Sequence, residues 1–347
     1  MIKIFRVIIF LSLCWMIVIG NANANELVVF SGRKEPLIRP VIDLFEKEFG
    51  IKVILKTGKS AALGQQILQE LPSPSADIYI AKESGSLEYL RIKGAFEIYK
   101  NNLIENIPEK FRARDGSWVG VSGRSRALLI NTELINREAA PKTLIDLLDP
   151  KWKGKIAAVN MSNESLVAWV SGLCIALGNM ETERILKGLK SNQIQLITKS
   201  HTDIRKAVAR GEFSMGLINH YYYHLQKKDA DSDLRYVDII YLDQGPGQRG
   251  ELVNVSGAAI VKGAKNRENA KKFMNFLVSE LAQKLFAGVN FEYPLLPSVA
   301  TNPDVLSSMH CEGPSAIECL RVMDVNLDEL GAQLDSTMEL LERIDWR

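Results

Sequence analysis

Leu27 to Phe30 is a short, continuous apolar run, the pattern of a strand buried on both faces. Ser31-Gly32-Arg33-Lys34-Glu35-Pro36 follows as a turn. Leu37, Ile38, Val41, Ile42, Phe45 and Phe49 then recur at helical spacing, and Gly50 closes that helix. Ile51 to Leu55 predicts a second strand. Ser60 is placed to cap a helix carrying Leu63, Ile67, Leu68 and Leu71, which Pro72-Ser73-Pro74-Ser75 breaks. Ile78 to Ala81 predicts a third strand, with a loop through Ser84-Gly85 into a helix carrying Leu87 and Leu90. Alternation of strands and helices predicts an α/β fold with a mostly parallel sheet and helices on both faces.

Trp118 to Ile130 reads as one long extended stretch interrupted by Ser122-Gly123-Arg124-Ser125-Arg126. Such a stretch can cross from one lobe to another. A second α/β region follows, with Ile156 to Val159 as a strand and apolar or amphipathic helices over 166–177 and 181–189. After the turn Gly245-Pro246-Gly247-Gln248-Arg249-Gly250, the extended run Leu252 to Val261 is the return crossing. A helix carries Ala270, Phe273, Met274 and Leu277, and the tail places Leu327, Leu330, Leu334, Met338 and Leu341 at helical spacing. The expected division is lobe 1 from 25–122 and 252–300, and lobe 2 from 123–251 and 301–347 with the C-terminal helices.

Composition changes this picture little. The 347 residues suffice for two domains, and 46% hydrophobic and 24% charged residues are ordinary globular values. The N-terminus changes it more. Lys3 and Arg6 precede an apolar run from Val7 to Ile19, and Ala22-Asn23-Ala24 is a small-x-small cleavage pattern. That run is shorter than a membrane-spanning helix requires, so 1–24 reads as a cleaved signal peptide. Two of the 43 basic residues leave with it and no acidic residue does, so 41 basic face 41 acidic. That balance gives no reason to expect nucleic acid. Cys14 leaves with the leader, and Cys174 sits in an apolar run as a buried thiol. Cys311 and Cys319 flank a short Gly/Pro-containing loop in an exported chain and are expected to form a disulfide; the rival is a metal pair with His310. Two α/β lobes joined by two crossings describe a hinged protein that closes around a small ligand.

The chemistry gathers at Gly216-Leu217-Ile218-Asn219-His220-Tyr221-Tyr222-Tyr223-His224. An apolar segment delivers three tyrosines to what reads as the carboxyl end of a strand, where open α/β sheets place ligands. Tyrosine ligates a metal only after losing a proton of pKa about 10. A hard, highly charged cation such as ferric iron drives that loss. The same triplet also fits aromatic packing at a strand end.

Several stretches, in order, resemble the periplasmic ferric-iron-binding proteins of bacterial ABC importers, over about residues 26 to 347. They are Val28 to Glu35, Ala76-Asp77-Ile78-Tyr79, Trp118 to Arg126, Asn219-His220-Tyr221-Tyr222, Asn254-Val255-Ser256-Gly257 and Phe291-Glu292-Tyr293-Pro294. The resemblance implies a two-lobed, type II-like periplasmic binding protein with two crossover strands as its hinge. It would bind ferric iron through Tyr221 and Tyr222, with Tyr223 pointing elsewhere, and deliver it to an inner-membrane ABC permease. A monomer is the default for such a binder. Family members often add a histidine, a carboxylate or a third tyrosine. Here those places hold Arg33 and Lys34, Lys82 with Glu83 beside it, and Met161-Ser162-Asn163-Glu164-Ser165. Arg33, Lys34 and Glu83 are therefore additional cleft candidates.

Two phenolates cannot fill the six sites that ferric iron prefers. The resemblance implies a synergistic anion, such as carbonate or phosphate. Arg124 or Arg126 can bind it through a two-donor fork, Ser162, Asn163 and Ser165 at a helix start, and Asn219 beside the tyrosines. His220 and His224 flank the tyrosines without needing to touch the metal. Adjacent Tyr221 and Tyr222 converge only if the backbone turns there, because successive strand residues face opposite sides. The basic residues also fit an alternative: a binding protein of the same fold for a small organic or phosphorylated anion. No nucleophile elbow, metalloprotease histidine pair or phosphate loop is present, so an enzyme is not expected.

Overall fold

The central strand of the protein is Val119–Asn131, thirteen residues that are all buried. A strand covered on both faces and both edges needs partners throughout, and this one changes partners midway. In the computed structural model, which describes residues 25–198, 200–226 and 236–347, the strands are β1 (Glu26–Ser31), β2 (Lys52–Thr57), β3 (Ile78–Ala81), β4 (Val119–Asn131), β5 (Ile156–Val159), β6 (Gln195–Thr198), β7 (Met215–Asn219), β8 (Val237–Ile240) and β9 (Val253–Ile260). They join in the order β2-β1-β3-β9-β4-β7-β5-β6, with β8 also on β4. Val119 to Ser125 of β4 pair with β9, and Arg126 to Asn131 pair with β7 and β8. The polar interruption around Ser125 and Arg126 is thus where the chain passes from one half of the sheet to the other.

The expectation of a mostly parallel sheet holds only in the two flanks. β1 is parallel to β2 and β3, and β5 is parallel to β6 and β7. At the centre β9 runs antiparallel to β3 and β4, and β4 antiparallel to β7 and β8. Two crossing strands running in opposite directions make the middle antiparallel; crossover helices make the flanks parallel.

Local chemistry shapes the elements near the cleft. Gly50 ends the helix Glu35–Phe49 in the left-handed conformation, φ 63°, and its amide caps Glu46. The helix Ser60–Glu70 begins at Ser60 rather than after it, so Ser60 does not cap it. Its hydroxyl instead accepts from the Lys82 amide, 3.3 Å away. A Cβ on Gly32 would lie 2.1 Å from that hydroxyl, so the first loop approaches the Ser60 helix this closely only as glycine.

The C-terminal helix Leu330–Arg343 packs against both the Ser84–Ile92 helix and the Glu164–Leu177 helix. It therefore links a helix that follows β3 to one that follows β5. Gly331 makes the first contact: a Cβ there would sit 2.6 Å from Glu88 Cβ and 2.7 Å from the Tyr89 amide. Backbone cannot yield, so Gly331→Ala should destabilise the protein by about 1–3 kcal/mol. A lowered denaturant midpoint with an unchanged m-value checks this. Cys311 and Cys319 are paired in a disulfide, and His310 lies against Arg137 rather than a metal pair. Cys174 is free and buried. The leader expected over 1–24 lies outside the described residues, among which no helix is long and apolar enough to cross a membrane.

Candidate metal centre

The tyrosines sit on a helix, not on a strand. β7 ends at Asn219, whose neighbour His220 donates its amide to the Ser125 carbonyl at 3.0 Å. The chain then turns into the short helix Tyr221–Gln226. That turn answers the period-two objection, because adjacent positions of a helix are only about 100° apart. The Tyr221 and Tyr222 rings stack, with centroids 4.5 Å apart and planes at 29°. Tyr223 projects elsewhere, into a separate hollow with Arg137 and Asp238.

His220 anchors this turn. It is fully buried and stacks on Tyr293, centroids 4.0 Å apart. Its Nδ1 accepts from the Ser125 amide at 3.3 Å, so its Nε2 carries the proton and donates to the Phe291 carbonyl at 2.9 Å. Burial lowers its pKa to about 3. Both nitrogens are engaged within the fold, and neither His220 nor His224 lines the cleft. Among the described residues no three His, Cys, Asp or Glu side chains converge as a metal site.

Tyr221 and Tyr222 open onto a cleft of about 300 Å³. Arg33, Lys34, Lys59, Lys82 and Arg124 line it, with Glu292 the one carboxylate among the lining residues. Glu292 is buried and clamped between two arginines. Arg33 Nη2 donates to its Oε2 at 2.6 Å, and Arg124 Nη2 to its Oε1. Burial alone would raise the Glu292 pKa, but the two guanidiniums outweigh it and hold it at about 2. Arg124 is also held by the Lys82 carbonyl, and its guanidinium carbon lies 5.8 Å from the Tyr221 ring centroid. Burial opposes its charge, but Glu292 and the phenols raise its pKa above the ordinary value.

The residues expected at the anion site separate into two groups. Arg33, Lys34, Arg124, Ser162 and Asn163 line the cleft. Arg126, Ser165, Asn219 and Glu83 do not; they surround a much smaller neighbouring void. Arg126 donates to the Ser165 carbonyl at 2.9 Å and to His201 Nε2 at 3.1 Å. Burial pulls its pKa down to about 10, outweighing the opposing charges of Tyr221, Glu251 and Tyr222. Glu83 is buried and caps the Ser84–Ile92 helix by accepting from the Ser86 amide. Asn163 caps the Glu164–Leu177 helix at the amides of Ser165 and Leu166.

Glu292, His201 and Lys59 also line the cleft, and sequence reasoning did not assign them there. His201 opens the helix His201–Ala209, with its ring 5.2 Å from Tyr222. Arginine only donates, so His201 Nε2 accepts from Arg126. Burial and then Arg126 keep this imidazole neutral, its pKa well below the ordinary value. The one advance signal was Glu292 within the Phe291-Glu292-Tyr293-Pro294 stretch. The Tyr222 phenol is pushed well above its ordinary pKa by burial first and by Tyr221 next. A ligand that binds the Tyr222 oxygen as a phenolate must therefore expel a proton the protein holds tightly.

Comparison with known proteins agrees with this geometry. A family described as bacterial extracellular solute-binding protein matches residues 73–315. Iron uptake protein A1 of Synechocystis sp. is 32% identical over 326 residues, 93% of this chain and 88% of that relative. A Trichodesmium FutA structure in complex with iron and citrate has a TM-score of 0.80 at 28% identity, covering 93% of this chain and all of that one. Iron-bound HitA from Pseudomonas aeruginosa also has a TM-score of 0.80 at 28% identity, covering 92% of this chain and 99% of that one. The family is one of binding proteins rather than enzymes. With its two α/β halves, its paired crossing strands and the cleft beside them, the chain belongs to the bacterial extracellular solute-binding proteins and has their two-lobed fold.

Proposed function

We propose that the protein binds ferric iron in the periplasm through Tyr221 and Tyr222 and delivers it to an inner-membrane ABC permease. The observation that carries this reading is the stacked phenol pair at a cleft lined by Arg33, Lys34, Lys59, Lys82 and Arg124 against the single carboxylate of Glu292. Relatives described as iron uptake and iron-bound proteins support it. Ferric iron with two phenolates keeps one positive charge, and the surrounding lysines add more. An anion must enter with the metal to balance that charge and fill its remaining sites. Ser162, Asn163, Lys34 and Lys59 are the cleft residues we assign to that anion. Arg124 serves it less directly, because Glu292 and the Lys82 carbonyl already occupy its guanidinium. The citrate held with iron by the Trichodesmium relative makes a carboxylate one candidate beside carbonate and phosphate.

In this reading residues 1–24 are the removed leader, and the protein works as a monomer. Lobe 1 is 25–122 with 252–300, and lobe 2 is 123–251 with 301–347, the C-terminal helix tying one to the other. The basic lining alone would also suit a metal-free organic or phosphorylated anion; the paired phenols favour iron. Equilibrium dialysis against ferric iron with bicarbonate, phosphate or citrate tests the choice. One iron per chain, bound only with an anion present, is the expected result. Loading displaces phenol protons, so affinity should rise with pH between about 6 and 8. A protein that retains an anion but no iron would overturn the reading.

A further inference from the structure

We propose that Glu164 is a positioning residue that holds the cleft closed over its cargo. The cargo is the ferric iron of the preceding reading, on which the release arm of the test below rests. Glu164 is the first residue of the Glu164–Leu177 helix. Its carboxylate reaches across to the opposite side of the cleft. Oε1 accepts from the Ala61 amide at 3.1 Å, and Oε2 lies 2.6 Å from Lys82 Nζ.

The Ala61 contact answers a local need. Ala61 is the second residue of the Ser60–Glu70 helix, whose preceding residue Lys59 supplies no side-chain cap. First-turn amides have no acceptor within their own helix, and a negative charge is favoured there. Glu164, 103 positions away in the chain, fills that role from the other lobe. The helix start is therefore capped this way only while the two sides are together.

Both jaws are braced by the crossing strand. Arg124 of β4 donates to the carbonyl of Lys82 itself, and Arg126 of β4 donates to the carbonyl of Ser165, next to Glu164. The two arginines stand two positions apart at the point where β4 changes partners. Their guanidiniums fix the backbone on either side of the Glu164–Lys82 contact. The Lys82 and Glu164 side chains are 33% and 15% exposed, so the pair is partly shielded from water. Fully exposed pairs contribute little. A charged acceptor on a backbone amide, with a shielded ammonium beside it, contributes more.

The test has two arms. Ferric iron is loaded, and its release to an excess of strong competing chelator is timed by stopped flow. Small-angle scattering of the iron-free protein reports lobe closure without any cargo. Glu164→Gln keeps an oxygen for the Ala61 amide but loses the charge, and Glu164→Ala loses both contacts. Release should be about tenfold faster for Glu164→Gln and faster again for Glu164→Ala, as expected for losing one or two charge-assisted contacts. The iron-bound spectrum should not move, since Glu164 does not touch the metal. Lys82→Met combined with Glu164→Gln should release measurably more slowly than the product of the single effects, because the two share one contact. Scattering should give a larger radius of gyration for Glu164→Ala than for the wild type. Release and radius both unchanged in Glu164→Ala would overturn the proposal. If the wild type binds no iron, the ferric reading fails. The scattering arm then decides the clasp: an expanded Glu164→Ala supports it, and an unchanged radius overturns it.

Discussion

Replacing Tyr221 and Tyr222 together with phenylalanine should abolish ferric-iron binding while leaving the fold intact. Each ring packs through its apolar body, with Tyr221 buried and the pair stacked at 4.5 Å. Phenylalanine keeps that packing and removes only the oxygen. Even loss of a residue that merely orients a metal ligand costs roughly 10- to 100-fold in affinity. Loss of a ligating oxygen should exceed the upper end of that range for either single variant. Competition titration against a chelator of known affinity measures it, with far-ultraviolet circular dichroism as the control for folding. Tyr223→Phe is the matched control, because its ring faces another hollow; its iron affinity should stay within about twofold of wild type, the scale of an unrelated surface change.

Glu292→Gln should be the most destabilising change in the cleft. The carboxylate is the shared partner of Arg33 and Arg124, both buried. Removing its charge leaves two guanidiniums without a counter-ion, which costs about 3–5 kcal/mol in comparable buried pairs. Replacing both partners would cost less than breaking the cluster from one side. The linkage with pH has a definite sign. The folded pKa of Glu292 is about 2, below an unfolded value near 4.5. Its stabilising contribution is then fully present above about pH 4.5 and lost as pH falls toward 2. The gap corresponds to roughly 3 kcal/mol, in line with the cost of breaking the pair. Urea titrations at pH 7 and near pH 3 should show wild type and variant well apart at the first and drawing together at the second. Equal differences at both pH values would mean the carboxylate is not what the arginines stabilise.

Much of the fold was legible because its signals are local. Apolar runs such as Leu27 to Phe30 and Ile78 to Ala81 became strands, and Gly50 ended its helix. The crossing was legible in Trp118 to Ile130 because two apolar segments flank a short polar interruption in one extended stretch, too long for a strand of a single lobe. Its direction relative to the return strand was not, and so the antiparallel centre of the sheet was missed. The tyrosines were legible as rings delivered at the end of a strand, with a turn needed for Tyr221 and Tyr222 to converge; that the turn is the start of a helix, anchored by His220, was not. The pairing of Glu292 with its two arginines was out of reach. Glu292 lies 259 positions from Arg33 and 168 from Arg124, and no periodicity carries information over such spans. The same separation hid the real work of Arg124 and Arg126. In the sequence they are free two-donor forks suited to an anion; in the fold, carbonyls, a carboxylate and an imidazole already occupy them. Glu83 and Ser60 each accept from a backbone amide: Glu83 caps its own helix at Ser86, and Ser60, expected to cap the helix it begins, accepts from Lys82 instead.

Whether Tyr221 and Tyr222 bind ferric iron as phenolates is read from a visible spectrum of the purified protein with ferric iron and bicarbonate. Tyrosinate bound to ferric iron absorbs in a broad visible charge-transfer band. The protein should turn orange to red, with a band that disappears in Tyr221→Phe and Tyr222→Phe and persists in Tyr223→Phe. A colourless protein holding no iron, or a band that survives the loss of both Tyr221 and Tyr222 oxygens, would contradict that mode of binding.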